Sequence, residues 1–180
     1  MIIRKNPRRG QTLIEALLAL GVITMGLLGI MALLSKAFFY DREVSDRLTA
    51  TYLASEGIEV AKNLIDHDMY SGAGWGACFE SNPSWNSNGG GGFASLSPDY
   101  TTTDCASIPA YSGAPLLFDP ATNRYGYSQT AGWAATAFTR EVRVSLSGDQ
   151  ITVQSIVRWN TGPITGESVD LEDHFYDWRK

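Results

Sequence analysis

The chain has 180 residues, 44% of them hydrophobic, and a formal net charge of −5. That length holds one domain with a single core beside one apolar anchor. The acidic balance argues against general nucleic-acid binding, which depends on Lys and Arg meeting phosphates.

The first predicted element is the most informative. Arg4, Lys5, Arg8 and Arg9 precede Gly10. Gln11 to Ile14 follow, then a lone carboxylate at Glu15, then an apolar run from Ala16 to Leu34 with no charge and no proline. A helix over 13–34 spans roughly the 30 Å hydrocarbon core of a bilayer. The cations ahead of it place residues 1–9 in the cytoplasm and the bulk of the chain outside. Glu15 is the anomaly. A carboxylate inside a membrane helix costs about 2.5–3.5 kcal/mol on insertion scales and so demands a partner. Gly21, Gly26 and Gly29 each lower helix stability in water by about 1 kcal/mol relative to Ala, and let neighbouring helices approach closely.

Gly10, Glu15 and the unbroken apolar segment resemble the class III leader of type IV prepilins and pseudopilins. The resemblance covers about the first 30 residues of the chain. It implies that a prepilin peptidase cuts between Gly10 and Gln11 on the cytoplasmic side and then methylates the new amine of Gln11. Gln11 departs from the Phe or Met that many family members carry there. Cleavage leaves 10 basic side chains against 19 acidic ones, a balance of −9. The resemblance further implies a long helix packed on an antiparallel sheet, and partners in other pilin subunits, an inner-membrane assembly platform and membrane lipid. The mid-helix proline frequent in the family is absent, so a continuous helix is expected. Three plainer readings compete. One is a secretory signal cut after Ser35-Lys36-Ala37, but the apolar run exceeds the ~7–15 residues of such a region. Another is a simple anchor, in which Glu15 would be an accident. The third is a buried helix of a soluble protein, which the length of the uncharged run opposes.

From Ser35 to about Ile65 the sequence continues without a breaker. Val44, Leu48, Thr51, Ala54, Ile58, Ala61 and Ile65 recur in steps of three and four, the pattern of one dry helix stripe. Asp41, Glu43, Asp46, Arg47, Glu56, Glu59 and Lys62 line the other side. Asp66-His67-Asp68 is expected to end the helix in solvent. Residues 66–135 read as a variable loop region, rich in Gly and aromatics, including four consecutive glycines at Gly89 to Gly92. Cys78 and Cys105 are the chain's two cysteines, and both lie on the exported side. An even count in an oxidising compartment reads as one disulfide, worth roughly 3 kcal/mol for a loop of this size. A hairpin is expected from Leu116–Phe118 to Arg124–Tyr127 across the turn at Asp119-Pro120.

From about 136 to 177 the period changes to two. Phe138, Val142, Val144 and Leu146 alternate with polar residues, with Arg140 interrupting the apolar face. Ile151, Val153, Val157 and Trp159 form a second such set, after a tight turn at Ser147-Gly148-Asp149. Val169, Leu171 and Phe175 form a third. These segments predict an antiparallel meander with one dry face. That face and the dry helix stripe each need a cover, and packing one on the other gives an α+β layer.

No catalytic constellation stands out: there is no HExxH, no Ser/His/acid order and no Cys near a usable His. No enzyme activity is expected, and no cofactor, although oxygen ligands for calcium are conceivable around Asp119 and Asn123 or Asp99 and Asp104. His67 and His174 belong to no metal pattern. Trp75, Trp85, Trp133 and Trp159 are expected to pack in the core rather than form a sugar-binding surface. The sequence therefore reads as a filament subunit, a minor pilin or a type II secretion pseudopilin. The alternative is a membrane-anchored extracellular binding module whose surface is the loop region.

Overall fold

The computed structural model describes residues 11–85, 93–127, 132–161 and 164–178. The helix α1 runs without a break from Gln11 to Ser71. The chain divides into two compact units, the first ending at Val44 and the second beginning at Ser45.

The described part of the first unit is helix alone. Its large side chains are exposed on every side, Leu13, Val22, Met25 and Leu33 among them. No part of its most apolar window is buried by the protein itself, and it is long and apolar enough to cross a membrane. Two of its hydroxyls turn back onto the helix: Thr24 donates to the Gly21 carbonyl and Ser35 to the Met31 carbonyl, each at 2.9 Å. Neither of these hydroxyl hydrogens is then left seeking water in an apolar medium.

The second unit is an α+β layer in which α1 from Ser45 onward packs on a six-stranded antiparallel sheet. The strands are β1 (Phe93–Leu96), β2 (Pro115–Asp119), β3 (Arg124–Gly126), β4 (Ala134–Ser147), β5 (Gln150–Thr161) and β6 (Ile164–Tyr176). Their order is β3-β2-β4-β5-β6. The expected meander is β4, β5 and β6, turning at Gly148, which adopts the positive φ of 59° that such a turn needs. The expected hairpin is β2 and β3, with Phe118 opposite Tyr125.

Three strands of this sheet, β1, β2 and β3, lie within the predicted loop region, and β1 is the one the sequence did not suggest. β2 pairs with the first half of β4, and β1 pairs with its second half, Leu96 facing Val142. A four-residue strand behind a run of glycines carries too little periodicity to be seen in sequence. Ala94 and Leu96 are nonetheless fully buried.

The helix face also differs from the predicted stripe. Ala54, Ala61 and Ile65 are buried as expected, but Val44 and Leu48 are 67% and 55% exposed. The true face follows Ala50, Leu53, Ala54, Gly57, Val60, Ala61, Leu64 and Ile65. Small residues govern it, because they let the helix axis approach the sheet. Gly57 is the tightest point: a Cβ there would collide with Ser155 Oγ and stand 3.0 Å from Val142 Cγ2.

The core has two apolar clusters. One gathers Leu64, Phe79, Leu96, Val144, Ile151 and Val153. The other gathers Ala50, Leu53, Leu116, Phe138, Val157 and Trp159. Arg140, which the sequence places on the dry face, is completely buried there. Its Nη1 donates to the Leu53 carbonyl of α1 at 3.0 Å, and its Nη2 donates to the Pro98 carbonyl at 2.7 Å. Glu56 lies 3.4 Å from the same guanidinium, so this residue, predicted on the wet side of the helix, turns to the sheet instead. A buried guanidinium is tolerable only with such partners.

Candidate functional site

The residues singled out by the sequence fall in two places. Gly10, at the predicted cleavage point, lies outside the described residues. Gln11, predicted to bear the new amine, is the first residue of α1. Glu15 lies four positions further along the helix, one turn away, and is exposed. Leu13, Ile14, Leu17 and Leu18 around it are each at least 60% exposed. Among the described residues no side chain pairs with Glu15. The arrangement is a single acid at the start of an otherwise uncharged helical surface, with the next cation along the described chain at Lys36.

The second place is the disulfide. Cys78 and Cys105 are bonded, with Cα atoms 5.2 Å apart. Cys78 belongs to the short helix α2 (Ala77–Glu80) and Cys105 opens a single 3-10 turn, Cys105–Ser107. Both are held by side-chain contacts to backbone. The predicted helix end at Asp66-His67-Asp68 is not one: α1 continues to Ser71, and Asp68 is buried rather than solvated. Its Oδ2 accepts from the Cys78 backbone N–H at 2.6 Å. Burial pushes the Asp68 carboxyl above its ordinary range; the Cys78 N–H and His67 oppose this, and Asp104 adds to it. Asn82, also buried, donates its amide to the carbonyls of Cys105 and Ile108. The bridge therefore ties the loop region to the end of the long helix. The count of two cysteines on the exported side pointed to the pair, but nothing in the sequence marked Asp68 or Asn82 as its supports.

The carboxylates considered for calcium serve the local backbone. Asp99 Oδ1 accepts from the Thr101 N–H at 2.9 Å and its Oδ2 from the Tyr127 N–H at 3.0 Å. Asp104 accepts from the Ala106 N–H, capping the 3-10 turn. Asp119 accepts from the Ala121 N–H and the Thr122 hydroxyl in the β2–β3 turn, where Asn123 takes a positive φ of 55°. Those two hydrogen bonds hold the Asp119 carboxyl below its ordinary range. Among the described residues no group of three or more His, Cys, Asp or Glu is placed to hold a metal ion.

Of the chain's five tryptophans, the four weighed as a sugar-binding surface, Trp75, Trp85, Trp133 and Trp159, do not assemble into one exposed platform. Trp159 is buried and tilted against Phe138, and Trp75 and Trp85 are partly buried against the core. Trp133 is half-buried beside Gly126. His67 is exposed, and His174 lies beside Glu172, Gln150 and Thr152 on the outer sheet face.

Sequence reasoning missed a charged cluster on that same face. Glu141 is buried and binds Arg143 at 2.8 Å and Arg158 at 2.9 Å, and accepts from the Ser95 hydroxyl at 2.7 Å. Burial works against the charged form, but the donors from Arg143, Ser95 and Arg158 outweigh it and hold the Glu141 carboxyl below its ordinary range. The alternation of β4 placed Glu141 on the wet face. The cross-strand partners lie far apart in the chain and carry no local signal.

Compared with known protein families, curated proteins and solved structures, the chain shows no match.

Proposed function

We propose that this chain is a structural subunit of a type IV filament, of minor-pilin or pseudopilin kind, and acts by polymerisation rather than catalysis. The observation that carries the reading is one uninterrupted helix with two characters. From Thr12 to Phe38 its side chains are exposed and, between Glu15 and Lys36, uncharged, and from Ser45 on one face packs on an antiparallel sheet. In this reading the leader ends at Gly10, and the exposed amine of Gln11 pairs with Glu15 of its own or a neighbouring subunit. In a low-dielectric filament core that pairing offsets much of the cost of burying the acid and fixes the axial register of the helices. Residues 1–9 are cytoplasmic before processing, and the second unit is extracytoplasmic, where the disulfide is stable. The partners are a prepilin peptidase, other pilin-like subunits, the inner-membrane assembly platform and lipid.

The test is the mass and N-terminus of the protein from its native membrane. The expected chain begins at a methylated Gln11, and Glu15→Ala inserts normally yet fails to enter filaments. A chain that starts at Met1 or after Ala37, or a Glu15→Ala variant that assembles like wild type, overturns the reading.

A further inference from the structure

We propose that the outer edge of β6 is a docking site for a basic, extended peptide segment of another protein, which joins the sheet as an added strand. The proposal does not depend on the filament reading. It rests on the second unit alone.

The edge is long and open. β6 has 13 residues and ends the sheet on its side, so among the described residues its outer edge has no partner strand. Its pairing with β5 is regular from Gln150↔Tyr176 through Trp159↔Glu167. An extended edge presents alternate N–H and C=O groups outward, a template for backbone pairing. Proteins commonly disarm such edges by shortening them, and the opposite edge does so: β3 has only three residues. β6 is not shortened.

Charge selects the occupant. β6 carries Glu167, Asp170, Glu172 and Asp173, and Asp177 follows it. No Lys or Arg occurs from Ile164 through Trp178. Asp170, Glu172 and Asp173 are exposed. Arg143 on β4 and Arg158 on β5 do not neutralise the edge, because Glu141 binds both. His174 offers a partial counter-charge to Glu172 only when protonated. A second copy of β6 laid along this edge would set acids beside acids, which is unfavourable across strands. A strand bearing Lys or Arg has the complementary sign.

A side-chain pocket adjoins the end of the edge. Ile65, Asp66 and Met69 of α1 and Trp75 line a cavity of about 360 Å³ with His174, Phe175, Tyr176 and Trp178. Tyr176 and Trp178 are 59% and 79% exposed. Aromatic faces with one carboxylate suit the alkyl stem and cationic head of Lys or Arg. Backbone pairing along β6 supplies affinity and the pocket supplies selectivity, the usual division of labour in strand addition.

The test uses the full chain in zwitterionic detergent micelles. The probe is a capped nonapeptide alternating Lys with Val and Thr. Controls are the same peptide with Glu for Lys, and the Lys peptide N-methylated on alternate amides to remove its backbone donors. The expected result is saturable binding of the Lys peptide with slowed hydrogen exchange in β6. Binding should weaken about tenfold or more for both controls and for the surface variant Asp170→Lys/Glu172→Lys/Asp173→Lys, as expected when charge and backbone pairing both contribute. The variant's circular dichroism should match wild type, since all three positions are exposed. No binding overturns the proposal. So does equal binding of the N-methylated peptide, which would show charge attraction without strand addition, or undiminished binding to the triple variant. A homodimer held through β6 also overturns it, because the edge would then belong to a second copy.

Discussion

The two stretches of α1 on either side of Val44 are one continuous helix, yet they are stabilised in opposite ways. Through Phe38 the large apolar side chains are exposed, so the protein itself buries none of the most apolar window and the medium must. After Ser45 a face that mixes small residues with Leu53, Val60, Leu64 and Ile65 is covered by the sheet, and Ala50, Ala54 and Ala61 are all at most 1% exposed. A backbone hydrogen-bond ladder extends through both regardless of what covers the side chains. Continuity of secondary structure therefore says nothing about continuity of environment, and the second stretch alone should respond when the sheet unit is weakened.

The largest test of that contrast is Arg140→Ala. It removes a wholly buried side chain, orphans the Leu53 and Pro98 carbonyls and strips Glu56 of its counter-charge. A loss of about 3–5 kcal/mol is expected for the second unit, the range for breaking a buried charged pair. Urea unfolding in micelles should show the midpoint fall while a helical signal persists from the first stretch. Loss of both in a single transition would show that the two stretches share one source of stability.

Next in size is Cys78→Ser/Cys105→Ser. Opening a loop with a separation of 27 residues should cost about 3 kcal/mol in the chain-entropy picture. The first stretch should again be unaffected. Hydrogen exchange should rise most around α2 and the last turns of α1, where Asp68 binds the Cys78 amide.

The smallest expected effect, and the one that sharpens the contrast by pH, is Glu141→Gln. The folded carboxyl titrates below its ordinary value, so its contribution is present above about pH 4.5 and is lost as pH falls through the lower folded value. The variant should be about 1–2 kcal/mol less stable at pH 7, given charge-assisted hydrogen bonds from two arginines that stay partly exposed. Denaturant midpoints should converge with wild type as pH falls below that window. A difference that is constant with pH would remove the electrostatic account.

Much of this molecule was legible before its structure. The apolar run, the isolated Glu15, the three alternating strands and the hairpin at Asp119 are all local patterns, and local patterns survive in a one-dimensional reading. The errors share a cause. Val44 and Leu48 looked like core because steps of three and four define a stripe without saying where its cover stops. Asp68 looked like a solvated helix end, because its partner, the Cys78 amide, lies across a loop. β1 looked like loop because four residues give too short a period, although the second half of β4 had an open edge to fill.

The periodicities follow from the order of residues alone: an uncharged helix long enough for a bilayer, a second helical stretch with a dry side, and a two-residue alternation that demands a half-buried sheet. Tertiary structure alone decided which face of the second stretch is the dry one, that Arg140 lies inside, and that Glu141 gathers two arginines. The reason is that period is a property of neighbouring residues, fixed by backbone geometry. Burial and charge pairing belong instead to contacts between residues such as Leu53 and Arg140, or Ser95 and Glu141, which meet only when the sheet closes against the helix.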